Sequence, residues 1–303
     1  LGPTASGKTA FSLEVAEELS RLGVRGEIVN ADSRQLYRSL DIGTAKILSS
    51  QMCGVPHHLL DVLDPQEEVT IAWYKERAQR AVDDILARGA IPLLVGGSML
   101  YLSAIIDGLE PSPVADPGIR GQLEEEYRRD EGATLHRRLE EIDPESATAI
   151  HRRNKTYLVR ALEIAACTGK RPSSLKRTSD CPYTLLIFGT DLPRLELHRR
   201  IHTRAATMFA RGWVEEVRTL LARGYSASSP GLKSHGYREI AVFLERGGYS
   251  LGELQSMIAQ RTIQYAKRQR TWWRGDPRIH WLMPKDSRSE VEDRAASRDA
   301  GRR

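Results

Sequence analysis

Eight residues near the start, Gly2-Pro3-Thr4-Ala5-Ser6-Gly7-Lys8-Thr9, constrain this chain more than any other segment. They fit the pattern Gly-x4-Gly-Lys-[Ser/Thr] throughout. In that pattern glycines let backbone N–H groups converge on phosphate oxygens, and a helix opening at the lysine turns its positive end toward the anion. Gly2, Pro3, Thr4, Ala5, Ser6, Gly7, Lys8 and Thr9 are therefore the candidate phosphate cradle, with Lys8 as a point charge and Thr9 as a hydroxyl ligand for Mg2+. The required helix follows at once: Phe11, Val15 and Leu19 recur at four-residue steps, with Leu22 three further on. Such a loop binds a polyphosphate without saying which one. No Asn-Lys-x-Asp guanine reader occurs, and no apolar run ends in Asp-Glu, so neither a GTPase nor a motor-type NTPase is indicated. The sequence begins at Leu1 without a methionine or a secretory leader. It is expected to be trimmed there, without the strand that ordinarily leads into such a loop.

The remainder alternates. Glu27 to Asp32 is a short strand ending on a polar residue, Ile71 to Arg88 is a helix stopped by Gly89, and Ile91 to Gly97 suits a buried parallel strand. This pattern predicts an α/β fold: a parallel sheet core with helices on both faces, of the phosphate-loop NTPase type. Pro and Gly cluster at Glu110–Gly118 and again at Gly169–Ser174, and the stretch between is helical throughout. We read a helical insertion over 111–182 in a discontinuous core of 1–110 and 183–285. Strand character returns at Tyr183–Gly189, helices resume from Pro193, and Ile279–Leu282 is a last strand. Residues 286–303 carry mixed charge and little to bury, and are expected to be disordered.

Charge is uneven. Thr190 to His280 holds 16 Lys and Arg against 8 Asp and Glu, although the whole chain is only +5. Tyr225, Tyr237, Tyr265, Trp272 and Trp273 interleave with that surplus, a combination suited to a phosphate backbone with unstacked bases; solvated helix faces are the plainer reading. Cys53, Cys167 and Cys181 are far apart and lack a CxxC, which argues against a disulfide framework or a zinc site and for a reducing, cytoplasmic setting. His57-His58 is not read as a metal pair, since adjacent residues point apart and no third ligand is near. No apolar run approaches the ~20 residues of a membrane helix.

Further segments narrow the choice. Asp32-Ser33-Arg34-Gln35-Leu36-Tyr37, Asp41-Ile42-Gly43-Thr44-Ala45-Lys46, Val55-Pro56-His57-His58-Leu59-Leu60-Asp61 and Gly96-Gly97-Ser98-Met99-Leu100-Tyr101 follow the loop in order. Arg160-Ala161-Leu162-Glu163, His235 to Glu239 and Gln264 to Gln269 come later. Jointly these resemble the tRNA dimethylallyltransferase family, bacterial type, from Gly2 to about Leu282. The resemblance implies transfer of a dimethylallyl group from dimethylallyl diphosphate to N6 of the adenosine beside the anticodon of tRNA, with Mg2+ as cofactor. Under it the Gly2–Thr9 loop would hold the leaving diphosphate. The partners implied are tRNA and the diphosphate donor, with neither zinc nor membrane, and a monomer is expected.

The same resemblance supplies roles. Asp32 would accept the proton of the adenine amine, with Mg2+ binding as a second role shared with Thr9. Ser98 stands where the family usually has Thr and keeps the channel hydroxyl. Arg204, four residues after Arg200 in the Leu197–Arg204 helix, would bridge the diphosphate and the target base, and Lys8 would complete the catalytic set. For tRNA the matching positions are Asp32, Ser33, Arg34, Gln35, Ser98, Arg120, Thr156, Tyr157, Arg160, Lys233, His235, Gly236, Tyr237 and Arg238. Three departures stand out: Asn154 and Tyr157 replace the family's usual Asp and Arg, and His235 stands where small or apolar residues are usual. The target base would be flipped out of its stack and reached through a channel open at two ends. Three other readings remain open: a small-molecule kinase, an adenylate isopentenyltransferase acting on free nucleotides, and a non-catalytic RNA-binding protein.

Overall fold

The computed structural model describes residues 1–110, 116–175, 178–248 and 250–283; the expected tail, 286–303, lies outside them. The chain divides into two compact units, Leu1–Ile106 with Cys181–Arg303, and Asp107–Asp180.

The first unit opens with α1 (Lys8–Arg21), β1 (Gly26–Ala31), β2 (His57–His58), α2 (Ile71–Ala87), β3 (Ile91–Gly96) and α3 (Met99–Ile106). The ends are set by local chemistry. Thr70 caps α2 by accepting from the Trp73 amide, and Gly89 leaves it at φ +70°, a conformation cheap only for glycine. Strand β1 is buried along its whole length and pairs in parallel with β2 on one side and β3 on the other. Its polar residues are consequently all partnered. Glu27 meets His58 Nε2 at 2.7 Å and accepts from Arg88 at 2.9 Å, while His57 Nδ1 is engaged with the Val55 carbonyl. The described residues contain no cluster of three or more His, Cys, Asp or Glu fit to hold a metal.

The second unit is helical as the pattern predicts: α4 (Pro117–Asp130), α5 (Ala133–Ile142), α6 (Pro144–Ala149) and α7 (Lys155–Thr168). Asp116 caps α4 and Asp143 caps α6. Leu123, Leu135, Leu139, Leu158 and Leu162 form its core. Beside them Glu163 is fully buried and accepts from Arg160 (2.6 Å), Arg120 (2.7 Å) and the Asp116 amide (3.1 Å). Burial opposes its charge, but the bonds from Arg160 and Arg120 prevail and hold the carboxyl below its usual range.

The first unit resumes with β4 (Ile187–Thr190), α8 (Arg194–Ala210), α9 (Trp213–Ala222), α10 (Tyr237–Arg246), α11 (Leu251–Trp273) and β5 (Ile279–Leu282). The strand expected from Tyr183 starts only at Ile187; Leu186 is 70 % exposed and has no ladder to join. Strands β4 and β5 pair in parallel as a separate sheet. Among the described residues the strands thus form one three-stranded and one two-stranded sheet, both parallel. Leu1, directly before the loop, continues the ladder on β4: its amino group donates to the Phe188 carbonyl at 2.8 Å, and its carbonyl accepts from the Thr190 amide at 2.9 Å. The outcome is a mixed α/β fold with small parallel sheets and many helices. No helix among the described residues is long and apolar enough to cross a membrane.

Candidate active site

Gly2 to Thr9 bends sharply because three of its residues adopt positive φ, Gly2 at +146°, Ala5 at +64° and Gly7 at +91°. Gly2 is obligatory for another reason: a Cβ there would lie 2.3 Å from the Thr190 carbonyl oxygen. Gly2, Pro3 and Ser6 are buried and line neither cavity described below. They build the frame instead. The Ser6 hydroxyl lies 2.7 Å from that of Thr190, and the Pro3 carbonyl accepts from Ser6 Oγ (2.8 Å) and from Lys8 Nζ (2.6 Å). Desolvation pulls the Lys8 ammonium down to about 8; the charge of Asp32 resists this and Arg204 adds to it. Lys8, Asp32 and Arg204, chosen from three distant segments, thus act on one another electrostatically.

Asp32 ends β1 and is held by its neighbours. Its amide donates to Asn30 Oδ1 (3.0 Å), Asn30 Nδ2 donates to the carbonyls of Asp32 (3.0 Å) and Leu59 (2.9 Å), and Asp32 Oδ1 accepts from the Arg34 amide (2.9 Å). The Ser33 amide donates to Ser98 Oγ at 2.9 Å, so the strand ends of β1 and β3 are joined through Ser98. Buried Lys46 draws the next two motifs together by donating to Asp41 (2.7 Å), to Asp61 and to the Tyr37 carbonyl (2.8 Å). Gln35 Nε2 (3.1 Å) and Arg204 Nη2 (3.4 Å) both donate to the Thr44 carbonyl.

Two cavities open from this centre. The larger, of about 540 Å3, is lined by Gly7, Lys8, Thr9 and Gln35 among others. The smaller, of about 330 Å3, is lined by Ser33, Arg34, Ser98, Lys233 and His235. Thr4, Ala5, Asp32, Arg204, Met208 and Tyr265 line both. His235 sits in the smaller one with its ring 5.8 Å from that of Tyr265. Desolvation lowers its pKa, with Glu239 opposing and Arg268, Arg261 and Arg34 adding to the effect.

Not every expected tRNA position lines these cavities. Tyr237 is fully buried, its hydroxyl donating to Glu216 (2.5 Å) and accepting from the Gly43 amide (3.0 Å), with its ring edge-on to Trp213 at 5.5 Å. Gly236 is also buried, and a Cβ there would meet the Trp213 ring at 2.0 Å. These two residues belong to the core, whereas Lys233, His235 and Arg238 are exposed. Arg120, Thr156, Tyr157 and Arg160 lie on the second unit. Thr156 and Tyr157 are exposed there, and Arg120 and Arg160 hold Glu163.

Residues without an assigned role in the sequence reading prove central. Gln269, 2 % exposed, accepts from the Thr4 amide through Oε1 (2.8 Å) and donates to the Gly97 carbonyl through Nε2 (2.7 Å), clamping the loop to the end of β3. Tyr265, one turn earlier on α11, donates to the same carbonyl at 3.4 Å. Their four-residue spacing puts both on one helix face, a signal visible in the sequence but shared with any surface helix. Asn30 was legible as a polar residue inside an apolar strand.

Small parallel sheets under many helices, with one carboxylate on the wall common to two cavities, define a mixed α/β enzyme. The model of the IPP transferase family matches residues 35–276, and the chain belongs to that family. It is 44 % identical over 284 residues to the tRNA dimethylallyltransferase of Geobacter sulfurreducens, covering 93 % of this chain and 89 % of the relative. It is 46 % identical to that of Geobacter metallireducens over 284 residues, covering 93 % and 90 %. Among solved structures it matches the full-length tRNA isopentenylpyrophosphate transferase of Bacillus halodurans, with TM-score 0.67, 35 % identity and coverage of 99 % and 94 %. It also matches a eukaryotic dimethylallyltransferase acting on tRNA, with TM-score 0.75, 26 % identity and coverage of 99 % and 76 %. Gly2–Thr9 and Asp32 precede the span of the family match.

Proposed function

We propose that this chain transfers a dimethylallyl group from dimethylallyl diphosphate to N6 of the adenosine 3'-adjacent to the anticodon in tRNA, releasing diphosphate. The carrying observation is the position of Asp32 on the wall shared by two cavities, one holding Lys8 and Thr9, the other Ser98 and His235. Donor and acceptor then enter from opposite sides and meet at one carboxylate.

The loop amides and Lys8 bind the diphosphate and stabilise the charge that builds on it as the allylic C–O bond breaks. A partly desolvated ammonium is well suited to this, because its attraction to an anion is weakly screened. Asp32 orients the amine and accepts its proton as the C–N bond forms. The bond from the Ser33 amide to Ser98 keeps the Ser98 hydroxyl at the entrance for the base, and Arg204 spans both cavities. Thr9 and Asp32 supply oxygen donors to the larger cavity, the donor type Mg2+ prefers while keeping waters and phosphate oxygens as its remaining ligands. Bound there, the ion would neutralise diphosphate charge. Lys233, His235 and Arg238 of the basic region, with Thr156 and Tyr157 of the helical unit, are proposed to grip the tRNA. The fold is read accordingly as a phosphate-loop core carrying a helical insertion, and the protein as cytoplasmic.

The test uses the protein with Mg2+, dimethylallyl diphosphate and unmodified tRNA, followed by digestion and mass spectrometry. Adenosine carrying one added C5H8 in tRNA, and none on AMP or ATP offered in parallel, supports the proposal. Product on free nucleotides alone, or on no acceptor, refutes it.

A further inference from the structure

The shared wall is half polar: Thr4, Asp32 and Arg204 line it, and its apolar members are Ala5, Met208 and Tyr265. Transfer requires the donor's C1 carbon to lie between the leaving oxygen and the attacking N6. The proposed function, on which this inference rests, puts those groups on opposite sides of the wall. The five-carbon tail must then lie against it, and its methyls are stabilised only by apolar contact. Ala5 offers a single methyl. Tyr265 is fixed by its bond to the Gly97 carbonyl and by contacts with His235 on one side and the Arg268 guanidinium, 5.7 Å from the ring centroid, on another. Met208 remains. It is 8 % exposed, unbranched, and projects from the α8 face that also carries Ile201, Arg204 and Ala205 at helical spacing.

We propose that Met208 sets the length of prenyl chain this enzyme accepts: five carbons fit beside its thioether and ten do not. The chemistry at C1 is the same for either donor. The C1–O bond breaks with its electron pair leaving on diphosphate, the N6 lone pair forms the C1–N bond, and the N6 proton passes to Asp32. Only the room for the tail differs. Discrimination by tail volume is strong enough to measure, since a methylene in an apolar pocket changes kcat/KM by roughly 10- to 200-fold.

The experiment is an internal competition. Equal dimethylallyl and geranyl diphosphate are offered with unmodified tRNA, and the ratio of C10H16 to C5H8 adducts on adenosine is read by mass spectrometry. A ratio taken in one tube is independent of how much enzyme is folded. Met208→Ala is expected to raise it about tenfold or more, while Met208→Leu stays near the wild-type value. An unchanged ratio in Met208→Ala overturns the proposal. If that variant gives no adduct of either kind, Met208→Val carries the same test with the same two outcomes. A wild-type enzyme that adds no C5H8 to tRNA would instead overturn the transferase reading.

Discussion

Replacing Gln269 with alanine removes the clamp between the loop and β3 while leaving every charged group in place. The half-buried Thr4 N–H loses its partner at 2.8 Å, and the buried Gly97 C=O loses its bond at 2.7 Å and keeps only the 3.4 Å bond from Tyr265. An unsatisfied buried polar group costs about 1–3 kcal/mol, so two such losses set an upper range of about 2–6 kcal/mol, which the remaining Tyr265 bond reduces. The vacated space adjoins the larger cavity, and water entering it would satisfy part of the loss. We expect a destabilisation of about 2–4 kcal/mol by urea unfolding. Because Thr4 belongs to the loop, its displacement should raise the KM for dimethylallyl diphosphate roughly tenfold or more and leave the KM for tRNA unchanged. Gly97→Ala provides an independent route to the same defect, since its Cβ would lie 2.4 Å from Gln269 Nε2. A stability loss under about 0.5 kcal/mol, or a KM defect confined to tRNA, would refute the reasoning.

Lys8→Ala should abolish turnover and leave tRNA binding intact by filter binding; lost tRNA affinity would contradict a role on the diphosphate side. Arg238→Ala should raise the tRNA KM with little change in stability, whereas Tyr237→Ala should destabilise the fold by about 3–5 kcal/mol, and equal effects of both on thermal unfolding would remove the distinction between surface and core. For the helical unit, Asp143 predicts an acid limb. Burial opposes its charge, but bonds from Ser146 and Ser173 pull its carboxyl down to about 2, below the usual value near 4. Its contribution is then complete above about pH 4 and lost as the pH falls toward 2. Asp143→Asn should flatten that limb in circular dichroism titrations, and an unaltered limb would show that other carboxylates set it.

Much of this protein was legible in its sequence because the relevant signals are local. Gly7 needs a positive φ and Lys8 opens a helix, so the Gly2–Thr9 loop announced itself. Apolar spacing gave α1 and α2 within a residue or two at each end, and the helical character of the second unit without its division into four helices. Asp32 stood out as an acid ending a buried strand. Other features depend on packing. Gly236 and Tyr237 sit in a basic, aromatic stretch that reads as an RNA contact. Whether a tyrosine is on the surface or in the core depends on what packs over it, here Trp213, which is 24 residues away in sequence. Arg120 and Arg160 also donate to the buried carboxylate of Glu163, an engagement that nothing in the sequence announces.

The sequence by itself determined the loop, the helices, the acid at the strand end and the family, all properties of short segments whose backbone conformations depend on near neighbours. The tertiary structure alone decided how the sheet is divided, which side chains line the two cavities, and which residues hold the loop in place. Those depend on contacts such as Thr4 with Gln269, 265 positions apart. A hydrogen bond across that span leaves no periodicity to read, because neither partner's type or spacing changes when the other is present.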